Sequence, residues 1–187
     1  MRQQGYFTGQ ASVHFSTRSG LLSAQLQGEW IELDFPIVLQ QETDPPPELS
    51  QALGIALKYV GTDGHDYLVE LDSEDAVRSR RPDFDVLSTI PARAIIVTSV
   101  ASSTEYDVVS RVFAPRLGID EDPVTGSAHC CLGPFWMAKL RKKALIAYQA
   151  SARGGVLHLR IYAERLYLSG KAVTVGRSTL QNFRPTP

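Results

Sequence analysis

The chain has 187 residues, 43% of them hydrophobic and 21% charged, and its 19 Lys and Arg against 20 Asp and Glu leave a formal net charge of -1. That length suits one domain or two small ones sharing an interface, and the balanced charge offers no basic field to hold nucleic acid or an anionic membrane, so neither is expected as a partner. No apolar run approaches the roughly 18 residues of a membrane span, and the opening Met1-Arg2-Gln3-Gln4-Gly5 lacks the apolar stretch of a signal peptide, so the expectation is a cytoplasmic protein.

The first 36 residues read as a three-stranded meander. Val13, Phe15 and Thr17 alternate with polar neighbours, Ser19-Gly20 is a turn signal, Leu22, Ala24 and Leu26 alternate again, and Gln27-Gly28 turns into Trp30 to Phe35. Pro36, the polar stretch Gln40 to Asp44 and Pro45-Pro46-Pro47 read as a linker, because proline lacks a backbone donor and restricts the residue before it. A boundary between a first unit (1–36) and a second (48–187) is expected there, with a return of the last strands to the first unit as an open alternative. Glu48 to Leu57 predicts a helix, Lys58–Thr62 and Asp66–Asp72 strands, Ser73 to Arg80 a short helix with Ser73 as N-cap, and Asp83 to Ile90 another. Ala94 to Thr98 and Tyr106 to Phe113 are apolar and β-branched enough for buried strands. A helix apolar over most of its circumference, hence largely buried, is predicted near 126–140, with strands after it at Leu157 to Tyr162, Leu166 to Ser169 and Lys171 to Val175. The pattern is α+β, strands gathered about one central helix.

The chemistry-bearing stretch is Asp120-Glu121-Asp122-Pro123-Val124-Thr125-Gly126-Ser127-Ala128-His129. A polar loop here leads into the buried helix, whose start presents free N–H groups. Glycine at 126 lets a ligand approach the backbone, and the hydroxyls of Thr125 and Ser127 add donors, so a carboxylate or other small anion is favoured. Asp122 stands just before this start. A bound carboxylate beside it brings like-charge repulsion and desolvation, which suit a proton-transfer group. The plainer alternative is that Asp122 caps the helix and Gly126 permits a turn.

With Phe113-Ala114-Pro115 before it and Gln149-Ala150-Ser151-Ala152-Arg153-Gly154-Gly155 after, this stretch resembles the signature of the phenazine-biosynthesis PhzF-like isomerases. Thr17-Arg18-Ser19-Gly20, Asp34-Phe35-Pro36 and Ser169-Gly170-Lys171-Ala172-Val173 match in family order. The resemblance implies the diaminopimelate-epimerase fold, two similar lobes each wrapping β structure round a central helix with the active site between them. It also implies proton shifts on small carboxylated substrates without a cofactor. By motif position Asp122 is then the catalytic residue, where epimerases of the wider fold have a cysteine, and Thr125, Gly126 and Ser127 bind substrate. The family's first-lobe glutamate and its Gly-His-Ala-Thr motif have no counterpart here, so a truncated first lobe is expected.

Two readings follow: a cofactor-independent isomerase, or a truncated, inactive homologue that binds a small anion or serves a non-enzymatic role. An opened first lobe exposes strand edges and an apolar face, which predicts a homodimer. Three other features get bland readings. His129-Cys130-Cys131 point about 100° apart on a helix, which argues against a metal site, and adjacent cysteines suit no ordinary disulfide. Gly126-Ser127 lacks the lysine and earlier glycine of a nucleotide-binding P-loop. Arg78, Arg80 and Arg81 read as a solvated face.

Overall fold

A computed structural model describes residues 12–17, 20–176 and 178. The amino-terminal 1–11, Arg18 and Ser19 of the first turn, and most of 177–187 lie outside the described residues. Eleven strands form one mixed sheet in the order β1-β2-β3-β11-β10-β9-β8-β7-β6-β5-β4. The meander is β1 (Ser12–Thr17), β2 (Gly20–Gln27) and β3 (Trp30–Pro36), all antiparallel. It is continuous with the rest of the sheet, because β3 pairs antiparallel with β11 (Arg165–Gly170), from Arg165 opposite Pro36 to Gly170 opposite Ile31.

The proline-rich stretch after β3 is held down at several points. The Val38 N–H donates to the Cys130 carbonyl at 2.9 Å, β4 (Gln41–Glu42) pairs with β5 (Tyr59–Thr62), and the Thr43 N–H reaches the Val60 carbonyl. Helix α1 (Pro47–Leu53) stops four residues short of the expected Leu57, because Gly54 takes a left-handed conformation, φ 60°, and closes it. After β6 (Asp66–Glu70), Ser73 and Asp83 accept from the Ala76 and Val86 N–H groups and open α2 (Glu74–Ser79) and α3 (Phe84–Thr89). Strands β7 (Ala94–Val100) and β8 (Val108–Phe113) are antiparallel, whereas β6 with β7 and β8 with β9 are parallel.

Two cores lie on the two faces of this sheet. Helices α1 and α3 cover one, through Leu49, Leu53, Leu87 and Ile90 against Val60, Val69, Ile95 and Val97. The other surrounds α4 (Gly126–Leu140), whose Leu132, Trp136 and Met137 meet Ile96, Val112, Leu145, Leu159 and Leu166. Helix α4 is buried along most of its length, with Ala128 to Gly133, Trp136 and Met137 inaccessible. Gly133 gives the sheet room: a Cβ there would lie 2.8 Å from Leu166 Cδ1. Pro134 sits inside α4 and has no N–H for the Cys130 carbonyl one turn back, and the Val38 N–H supplies that bond from outside.

Two strand readings change. Ala144–Gln149, not singled out in the sequence, is β9, with Leu145, Ala147 and Gln149 facing inward. Lys171 to Val175 is no strand: β11 ends at Gly170, and Val173 and Val175 are 84% and 96% exposed, with no sheet partner to pay for ordering them. Strand β10 (Gly155–Tyr162) lies between β9 and β11 and buries Leu157 and Leu159 while exposing His158 and Arg160.

Candidate active site

Strand β8 leaves the sheet at Phe113, turns through a 3-10 segment at Pro115–Leu117, and is brought back when the Asp122 N–H donates to the Val112 carbonyl at 2.9 Å. Glu121 is fixed by Arg111 of β8, whose Nε and Nη2 donate to its two carboxylate oxygens at 2.8 and 2.9 Å. Asp122 is thus presented, half-buried, where β8 ends and α4 is about to begin.

Thr125, at the N-cap of α4, is bonded at every polar atom. Its N–H donates to Gln149 Oε1 at 2.8 Å, and its carbonyl accepts from His129 Nδ1 at 2.7 Å. Gln149 Nε2 donates to the Asp122 carbonyl at 2.7 Å and to Thr125 Oγ1 at 3.2 Å. Chemistry fixes the Gln149 orientation, since a backbone N–H needs an acceptor and a carbonyl needs a donor. The Thr125 hydroxyl therefore accepts from Gln149 and gives its single proton to Asp122 Oδ2, 2.5 Å away. That proton, read from the sequence as a donor to ligand, is already spent.

Asp122 is accordingly the acceptor of the Thr125 hydroxyl, and Thr125 makes no side-chain bond to the helix it precedes. Helix α4 opens without a cap from its N-cap residue, which leaves its first N–H groups for something in front of them. Gly126 faces open space, with no heavy atom within 4 Å of a Cβ built there, and Ser127 is exposed. The structure so brings Asp122, Thr125, Gly126 and Ser127 to one helix start.

Sequence reasoning passed over what holds this start in shape. Gln149 is fully buried on β9, where its position in the family-like Gln149 to Gly155 stretch was the available signal. His129 is fully buried, and burial pushes its imidazole down to about 4 while the Thr125 carbonyl opposes that shift. Its Nδ1 carries the proton, since a carbonyl only accepts, and its Nε2 is buried without a hydrogen-bond partner. Gly155 is required by close approach: a Cβ would stand 2.4 Å from Val124 Cγ2. Ser151 ties the same turn to the motif, donating to the Pro123 carbonyl at 2.7 Å.

A cavity of about 870 Å³ adjoins the motif through Val124, Gly154 and Gly155, and runs to Trp30, His158 and Lys171. Asp122, Gly126 and Ser127 are not among its lining residues, so we place the candidate chemistry at the helix start on its donors and acid, with the cavity beside it. Trp30 stacks on His158 with centroids 4.1 Å apart in its wall.

Comparison with known proteins places this geometry. The profile of the PhzC-PhzF family, phenazine biosynthesis-like proteins, matches residues 2–178. An uncharacterised isomerase of Halalkalibacterium halodurans is 51% identical over 94% of this chain and 66% of its own length. The phenazine biosynthesis-like domain-containing protein 1 of Mus musculus is 36% identical over 91% of this chain and 65% of its own length. The chain therefore spans just under two thirds of the length of these two curated relatives. Among solved structures, a phenazine biosynthesis PhzF-family protein of Enterococcus faecalis superposes with a TM-score of 0.83 at 36% identity, over 90% of this chain and 64% of that one. A hydroxyproline epimerase of Agrobacterium vitis shares the fold at a TM-score of 0.55 and 13% identity, over 93% of this chain and 61% of that one. With an α+β fold of epimerase type and a family match along nearly its whole length, the chain belongs to the PhzC-PhzF family of phenazine biosynthesis-like proteins.

Proposed function

We propose that this stretch contributes one face of a cofactor-independent isomerase site, with Asp122 moving a proton on a small carboxylated metabolite anchored at the start of α4. The observation that carries the reading is the diversion of the Thr125 hydroxyl to Asp122, which leaves the helix start uncapped and puts an acid beside it. The free N–H groups of Gly126 and Ser127 would hold the carboxylate. A carbon-bound proton next to that carboxylate would then lie within reach of Asp122.

Proton transfer between two carbons also needs a group to return the proton on the other face. Among the described residues near Asp122, Glu121 is committed to Arg111 and His129 to the Thr125 carbonyl, while Asp120 is exposed to solvent. This favours a second reading, in which the stretch on its own binds a small anion without turning it over.

Calorimetric titration with benzoate and propionate tests the anchor. Gly126→Val is expected to fold and to abolish binding, because its side chain fills the space in front of the N–H groups. Asp122→Asn is expected to bind more tightly by removing repulsion. Unchanged affinity in folded Gly126→Val sinks the reading. Solvent deuterium exchange at the α-carbon of bound carboxylates separates the two readings: exchange lost in Asp122→Ala supports the isomerase, and absence of exchange supports the binder.

A further inference from the structure

The arginines that read as a solvated face do not stand apart in water. Arg78, Arg80 and Arg81, from α2 and the loop after it, line a cavity of about 460 Å³ together with Arg111 of β8. Arg111 is 7% exposed and is held by Glu121 and by the Val77, Arg78 and Arg80 carbonyls. Arg80 crosses to the end of α1, donating to the Leu53 carbonyl at 3.1 Å.

The charges around this cavity do not cancel. Arg111 is neutralised by the bidentate Glu121, and Arg78 by Glu74 at 2.7 Å. Among the described residues Arg80 and Arg81 form no ion pair. Their hydrogen bonds run to carbonyls of Leu53, Gly54, Ala76 and Arg80 and to the Ser79 hydroxyl, which orient a guanidinium without offsetting its charge. Two guanidinium charges without an acidic partner thus line one concavity, and Arg81, bonded only through Nη1, leaves Nε and Nη2 open.

We propose that this cavity is a second anion site, suited to a small organic phosphate. A phosphate monoester carries about two negative charges near neutral pH, accepts paired bonds from a planar guanidinium fork such as that of Arg81, and offsets the charge of Arg80 beside it. A carboxylate would offset only one of the two charges. Pro82 and Phe84 line the same cavity and give an organic group an apolar wall. Its volume falls within the roughly 300–1,000 Å³ of small-molecule pockets. Glu121 and Ser151 also line it, but Asp122, Thr125, Gly126 and Ser127 do not.

Calorimetric titration of the chain with phenyl phosphate, inorganic phosphate and benzoate tests the assignment. Phenyl phosphate is expected to bind at one equivalent and at least tenfold more tightly than inorganic phosphate. Arg81→Glu, at an exposed residue, is expected to weaken it at least tenfold, and Arg78→Gln, with circular dichroism to show folding, several-fold. Gly126→Val is expected to leave phenyl phosphate binding unchanged while removing benzoate, so failure at either site shows separately. Absence of binding at millimolar phenyl phosphate, wild-type affinity in Arg81→Glu, equal affinity for the two phosphates, or loss in Gly126→Val would each overturn it.

Discussion

At the scale of single residues, the candidate site is a knot of four side chains in which one proton's direction is forced. Gln149 can only donate from Nε2, so Thr125 must donate to Asp122, and the helix start stays open. The acid and the glycine were legible in the sequence because Asp-Pro-Val-Thr-Gly-Ser is a local pattern. Gln149 was not, since a glutamine reads as a surface residue and its partners lie 24 and 27 positions away. His129 supplies a test of the knot. Its folded-state imidazole sits near 4 against an ordinary 6.5, because burial disfavours the charged ring. The unfolded chain takes up that proton first as pH falls. The stabilisation is therefore complete above pH 6.5 and is lost progressively between 6.5 and 4. Urea unfolding at pH 7.5 and 4.5 should show about 2–3 kcal/mol more loss for the wild type than for His129→Gln, from roughly 1.4 kcal/mol per pKa unit. Equal losses would show that His129 is not held neutral by the fold.

At the scale of elements, local pattern located most helices and strands; α1 ends early for a local reason, Gly54, and two other failures have a tertiary cause. The meander, the caps at Ser73 and Asp83 and the buried α4 follow from alternation, capping chemistry and an all-round apolar surface. Lys171 to Val175 alternates like a strand but has no neighbour to pair with, which no local pattern reports. The proline-rich stretch reads as a free linker because its anchor is distant: Val38 serves a carbonyl orphaned by Pro134, almost 100 positions later. Val38→Pro removes that donor and should cost about 1–3 kcal/mol, the penalty for an unsatisfied buried acceptor. Chemical denaturation measures it, and stability within about 0.5 kcal/mol of wild type would mean the Cys130 carbonyl finds another partner. The helix also isolates its two thiols. Burial pushes Cys130 up to about 11 and Cys131 higher still, so neither should react with a disulfide reagent at pH 8 until the chain unfolds.

At the scale of the molecule, one sheet carries both the α4 core and a barer apolar surface. Register pairs carry the α4-facing side outward from Leu168 to Leu33, Ala24 and Val13. The cluster around α4 takes in Phe35 but not Ile31, Leu26, Leu22, Phe15 or Val13, which remain half-buried. Strand β1 ends the sheet and adds an unpaired edge among the described strands. An apolar face bounded by a free edge favours a second copy, so the chain is expected to self-associate. Sedimentation equilibrium should give a mass above 20.6 kDa that rises with concentration, and a steady 20.6 kDa species would refute it.

The pairing of β3 with β11 also sets a clock. Pro36 meets Arg165, so the meander cannot join the sheet until nearly 130 further residues have been made. At a synthesis rate of about 5–20 residues per second, its apolar side waits on the order of 6–26 s for a partner strand. During that interval β3 lacks its β11 partner, and a two- or three-stranded ribbon alone is barely stable in water. The meander's apolar side thus stays without its partner strand until after the site loop and central helix have been made, and slower translation lengthens that exposure rather than easing it.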